Sequence, residues 1–155
     1  MAIRKVLSSA YGQLVDGAFS QSRGASALGL KTGMCGTVEC LATDEAGSEY
    51  SLVNVPSSAI LLPGSAIRTN AWGFAQAVIG GDGDTDAVLD VAAASGGATG
   101  NVLVTIFGAN WNQPIWQQLG MAADPGNPIT LKVFTEADAA SAGQIDFDLQ
   151  FANHV

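Results

Sequence analysis

The stretch Gly143-Gln144-Ile145-Asp146-Phe147-Asp148-Leu149-Gln150-Phe151 decides the fold. Ile145, Phe147, Leu149 and Phe151 alternate with Asp146, Asp148 and Gln150, and successive side chains of a strand point to opposite faces. Four large apolar groups therefore share one side, and carboxylates and amides share the other. That describes an antiparallel strand with one dry face and one wet face. Such a strand needs a second layer to cover its apolar row.

The chain upstream is built to supply that layer. Residues 129–134 alternate Ile, Leu and Val with Thr and Lys, and residues 136–142 turn the chain into the closing strand. Residues 102–107 are almost wholly apolar, which predicts a central strand covered on both faces. Between these lies the irregular stretch 110–124 with Trp111 and Trp116. Earlier, residues 34–42 alternate in part, 43–48 form an acidic turn, and 50–55 make another β-like run. The apolar run 56–64 is fenced by Pro56 and Pro63, which cannot donate to a ladder and so mark the ends of a short strand or crossing segment. Residues 65–72 and 74–79 are separated by Gly73, a bend or bulge. Residues 80–86, Gly-Gly-Asp-Gly-Asp-Thr-Asp, read as a turn, 87–92 as a further strand and 93–100 as a small-residue loop. Eight or nine short strands at regular spacing, with no long amphipathic helix, predict an all-β antiparallel sandwich.

Residues 1–32 have a different texture, with Gly12, Gly17, Gly24 and Gly29 among serines and alanines. They read as an N-terminal arm, extended or ordered against a surface, attached to a single sandwich domain at 33–155. The charge divides at the same place. Arg4, Lys5, Arg23 and Lys31 face Asp16 alone in the arm, a balance of +3, which leaves −11 on the body of a chain whose net charge is −8.

The totals narrow the function classes. A chain of 155 residues is most simply one domain, able to bury roughly 70% of its unfolded surface. Hydrophobic residues make up 48% and charged residues only 13%, against about 25% charged in an average globular protein. A surface so lightly charged points to a homo-oligomer or a component of a larger assembly. The acidic body argues against nucleic acid as a partner. No window reaches the length of a membrane span, and the basic start at Arg4 and Lys5 is broken by polar residues before any apolar core forms, so the chain reads as made in the cytoplasm with no membrane partner. Cys35 and Cys40, if on one strand, lie about 16 Å apart, beyond the roughly 7 Å a disulfide allows, and read as reduced thiols.

The constellations that suggest chemistry fail on their surroundings. His154 is the only histidine and sits next to the terminus, a poor place for a base that must be held rigidly. Ser26, in Gly24-Ala25-Ser26-Ala27-Leu28-Gly29, approaches a nucleophile elbow but has Leu where Gly is required. Glu136 and Asp138 near Asp146 and Asp148 fall on a turn and a wet face, where nothing raises a carboxyl pKa for acid-base work. Asp82, Asp84 and Asp86 form the calcium candidate, because alternating aspartates on a glycine-rich loop can converge on a hard cation, yet no loop signature continues beyond them. Trp72, Trp111 and Trp116 are candidates for an aromatic contact, either an oligomer interface or a platform for sugar rings. No catalytic residue and no cofactor is expected.

Taken together, Leu62-Pro63-Gly64, then Ala66-Ile67-Arg68-Thr69-Asn70-Ala71, a Gly-Asp turn and Val88-Leu89-Asp90-Val91 resemble the jelly-roll decoration or cement proteins of tailed-phage heads. So does the ending, where the run 129–133 is followed by Ala140-Ser141-Ala142-Gly143 and the alternating strand. The resemblance covers residues 50–152. It implies a sandwich of jelly-roll type and a non-enzymatic virion protein on the outer capsid surface. It also implies self-association, as a homotrimer, and the major capsid protein as partner. Assigning the capsid grip to Arg4, Lys5, Arg23 and Lys31 follows from the arm's composition and charge. The rival class is a tail, baseplate or receptor-binding sandwich that uses the tryptophan-bearing segment on glycans.

Overall fold

The computed structural model describes residues 3–7, 32–92, 102–105 and 112–153. The strands are β1 (Lys5–Leu7), β2 (Thr32–Cys40), β3 (Glu49–Val55), β4 (Ala59–Leu61), β5 (Ala66–Asn70), β6 (Gln76–Gly81), β7 (Asp84–Ala92), β8 (Val102–Thr105), β9 (Ile129–Phe134) and β10 (Gly143–Asn153), with one helical turn, α1 (Ile115–Gln118). One sheet has the order β1-β3-β9-β6-β7 and the other β2-β10-β5-β8, with β4 paired to β10 beyond β5.

The pairing scheme identifies the architecture. Apart from β1 and β4, the strands pair first with last and inward: β2 with β10, β3 with β9, β5 with β8 and β6 with β7, each pair antiparallel. This is one long antiparallel ribbon folded over on itself, and the further pairs β10–β5 and β9–β6 close it into two sheets. The result is a jelly roll.

The strand at 143–151 is the centre of its sheet. Ile145, Phe147, Leu149 and Phe151 are buried, whereas Asp148 is exposed and Asp146 and Gln150 are half-buried. Their apolar row meets Tyr50, Leu52, Val53 and Val55 of β3, Leu131 and Val133 of β9 and Ala77 and Ile79 of β6 in one core. Burying each large side chain contributes about 1.5–3 kcal/mol. In β3 the buried positions run Tyr50, Leu52, then Val53, Val55, because a register shift between Ser51 and Val53 restores the inward phase. The sequence shows the same break in its alternation.

Two backbone crossings explain glycines that side-chain patterns do not. A Cβ on Gly73 would stand 1.8 Å from the Ser141 carbonyl oxygen, and one on Gly143 would stand 1.8 Å from the Ala71 carbonyl oxygen. The segment around Trp72 thus lies directly on the entry to β10, tied by the Ala140 N–H donating to the Gly73 carbonyl at 2.7 Å.

Three expectations are corrected. Residues 102–105 form the end strand of their sheet among the described residues, not a central one; an apolar run reports burial and says nothing about how many neighbours a strand has. The turn expected over 80–86 is only Asp82-Gly83, because Asp84 already pairs with Gly81 and continues into β7. The irregular stretch before β9 contains α1, a turn too short to show periodicity.

Candidate functional site

The chain's start is stitched into its own body. β1 lies parallel to β3, with Lys5, Val6 and Leu7 opposite Glu49, Tyr50 and Ser51. Ahead of it, Arg4 is clamped by the turn between β2 and β3: its N–H donates to Ser48 Oγ at 3.1 Å and its carbonyl accepts from the Glu49 N–H at 2.8 Å. The Arg4 Nη1 donates to both carboxylate oxygens of Asp44, at 3.0 and 3.3 Å. Asp44 also accepts from the Leu41 N–H at 2.9 Å and from the Tyr50 hydroxyl at 2.5 Å. Burial and then the Asp44 carboxylate push the Tyr50 phenol far above its ordinary range, so it stays a donor. The tyrosine ring is itself held edge-on by Trp72 and Phe74, with centroids 5.3 and 6.1 Å away. A buried carboxylate requires a partner charge, and here Arg4 provides it.

On the outer face of the same sheet, charges alternate across the strands. Lys5 pairs with Glu49 at 3.1 Å, Glu49 with Lys132 at 3.0 Å, and Lys132 with Asp82 in the β6–β7 turn. The two ammonium groups hold the Glu49 carboxyl below its ordinary value, Lys132 foremost. Burial opposes the charge on Lys132, but its bonds to Asp82 and Glu49 outweigh it and raise its pKa. The row stitches β1, β3, β9 and the β6–β7 turn together.

The candidate residues separate on this frame. Arg4 and Lys5, expected at a capsid contact, are engaged by the chain's own Asp44 and Glu49. Arg23, Lys31, Trp111, Ser26 and His154 lie outside the described residues. Trp72 is fully buried with its Nε1–H on the Gln76 carbonyl, so it is a core residue and not a surface contact. Trp116 is half-buried and packs against the core from α1. The calcium candidate does not converge: Asp82 is taken by Lys132, while Asp84 and Asp86 sit two apart on β7, where the Asp86 carboxylate raises the Asp84 carboxyl. Among the described residues no three acids, histidines or cysteines are grouped to hold a metal. Cys35 and Cys40 are free thiols on one strand, Cys35 exposed and Cys40 buried. Asp138 accepts from the Ala46 N–H and closes the loop ends together.

The wet face of the other sheet carries Asp146 and Asp148 beside Arg68, around a shallow depression over Ala66. Asp146 accepts from Thr37 Oγ1 at 2.8 Å and Gln144 Nε2 at 2.9 Å. Its hydrogen bonds give it a structural place. Sequence reading missed Asp44, Tyr50, Glu49 and Lys132; the available signal was slight, an aspartate in an acidic turn that closes back on Leu41. Among the described residues no helix is long and apolar enough to cross a membrane.

These features define a jelly-roll sandwich whose paired polar groups hold its strands and turns together. No family model and no curated protein matches the chain. Solved structures with the same fold do. A chain of the cyanophage Pam1 capsid asymmetric unit is 15% identical with a TM-score of 0.55, the match covering 80% of this chain and 85% of that one. A chain of the capsid of Ralstonia phage GP4 is 11% identical with a TM-score of 0.53, covering 80% and 86%. At these identities the likeness is one of fold.

Proposed function

We propose that this chain is a virion structural protein of a tailed phage, a decoration or cement protein that associates with itself as a trimer on the outside of the head and stabilises the shell. The observation that carries the reading is the match of the jelly roll, over 80% of the chain, to chains of two phage capsids. Two further features support it. The chain is lightly charged for its size, at 13%, as suits a surface covered by neighbours. Of the acids that suggested chemistry, Asp82 is paired with Lys132, Asp138 accepts from the Ala46 N–H and Asp146 accepts from Thr37 and Gln144. The role is binding rather than catalysis.

The major capsid protein is the partner on this reading. Because Arg4 and Lys5 are engaged within the chain, Arg23 and Lys31 are left as the basic residues of the arm to meet an acidic capsid surface. Weak contacts made by three joined copies multiply through effective concentration. The test is addition of purified full-length protein to expanded heads that lack it, followed by sedimentation. Saturable binding with a fixed copy number and improved heat resistance of the heads is the expected outcome. Protein that stays in the supernatant at micromolar concentration contradicts it.

A further inference from the structure

Docking of the N-terminal strand on its own body satisfies Asp44 but leaves the strand half covered. Ile3 and Leu7, at 59% and 63% exposure, flank Lys5 on the outward side. The edge of β1 away from β3 has no strand beside it among the described residues. Among the described residues, the polar contacts of residues 3–7 are all made to one small region, Asp44, Ser48 and the first residues of β3. The connection from this strand to β2 runs through residues 8–31, rich in glycine and serine. A chain of that length reaches on the order of 80 Å when extended, several times the radius of a domain of this size, about 15 Å. The dock of one copy is therefore within reach of the N-terminus of a neighbour.

We propose that in the assembled protein the strand on the β3 edge is residues 3–7 of a second copy, with that copy's Arg4 closing on Asp44. The contacts made within a chain and between chains are the same, so exchange sacrifices none of them. What it adds is a place for Ile3 and Leu7 at the junction between copies. The buried Asp44 enforces reciprocity, because a dock left empty strands a carboxylate away from water. Each copy that gives its strand must take one, which produces a closed ring and not an open chain.

The inference rests on the self-association proposed above, and the two fail separately: light scattering reads association, whereas a cross-link reads which copy supplies the strand. Lys5 and Glu49 are Cα partners directly opposite in the β1–β3 ladder, and the neighbouring-strand spacing of about 4.8 Å is within disulfide range once both are cysteine. Their ion pair is exposed and contributes little to stability. Two full-length chains of different mass, both carrying Cys35→Ser, one with Lys5→Cys and the other with Glu49→Cys, are co-expressed and oxidised. A covalent dimer of unequal chains, formed by most of the limiting species, is expected on a non-reducing gel. The inference is overturned if the mixture stays uncross-linked while a single chain with both substitutions closes on itself. It is equally overturned if the doubly substituted chain forms no disulfide at all, since the β1–β3 register would then be absent.

Discussion

Arg4 and Asp44, forty positions apart in the chain, meet with one guanidinium nitrogen 3.0 and 3.3 Å from the two carboxylate oxygens, and the aspartate side chain is wholly buried. The pair joins the first described residues of the chain to the turn between β2 and β3. Removing the arginine leaves a buried charge held, among the described residues, by the Leu41 N–H and the Tyr50 hydroxyl. Arg4→Ala should lower stability by about 1.5–3 kcal/mol, the range for a hydrogen bond to a charged group. Urea unfolding at neutral pH measures it, and a change below about 0.5 kcal/mol would mean the N-terminal strand is not docked.

The charged row across β1, β3 and β9 sets a pH window. The Glu49 carboxyl is held below its ordinary 4.5, so its contribution is present above that value and fades as pH falls through the lower folded pKa. Lys132 is raised above its ordinary 10.5, so its contribution is complete below that value and is lost as pH rises through the folded pKa. Glu49→Gln should flatten the acid limb of the stability profile. Lys132→Met should flatten the alkaline limb and part of the acid limb too, because Lys132 is the main cause of the Glu49 shift. Thermal unfolding from pH 3 to 11 distinguishes these; parallel curves for wild type and both variants would contradict the network.

Gly73 and Gly143 should tolerate no side chain. Each would place a methyl group 1.8 Å from a backbone carbonyl oxygen of the facing segment, and the backbone cannot yield as a flexible side chain does. Gly73→Ala and Gly143→Ala should each cost about 3 kcal/mol or more, at the upper end of overpacking, whereas Gly83→Ala, with nothing within 4 Å, serves as the tolerant control. Equal melting temperatures for all three would refute the close crossing.

Trp72 should behave as core. Trp72→Ala removes a fully buried ring packed 5.2 Å from Phe74 and 5.3 Å from Tyr50, a loss of about 3–5 kcal/mol. Trp116→Ala, at a half-buried site, should cost visibly less. A sugar-binding defect in soluble, fully stable Trp72→Ala protein would revive the glycan reading.

Much of the layered fold was legible because alternation is local. The Ile145-to-Phe151 pattern named its buried face, and residues 129–134 matched β9 at both ends. Strand order was not legible: β2 and β10 pair Val38 with Ile145, and no local signal encodes a partner so far along the chain. β1 escaped notice because three residues, Lys5-Val6-Leu7, are too few to show a period. Asp44 was hidden for another reason. An acidic turn normally faces water, and only the fold brings Arg4 and Tyr50 to it. The same holds for Trp72, whose side chain gives no sign in the sequence of whether it faces a partner or the core.

The most direct measurement of the proposed role is an electron cryomicroscopy reconstruction of heads to which the full-length chain has been added, set against bare heads. The expected difference is density outside the shell, in groups of three, into which the two-sheet sandwich fits with residues 8–31 nearest the capsid. No added density on the shell, or density confined to the tail, would contradict a decorating role.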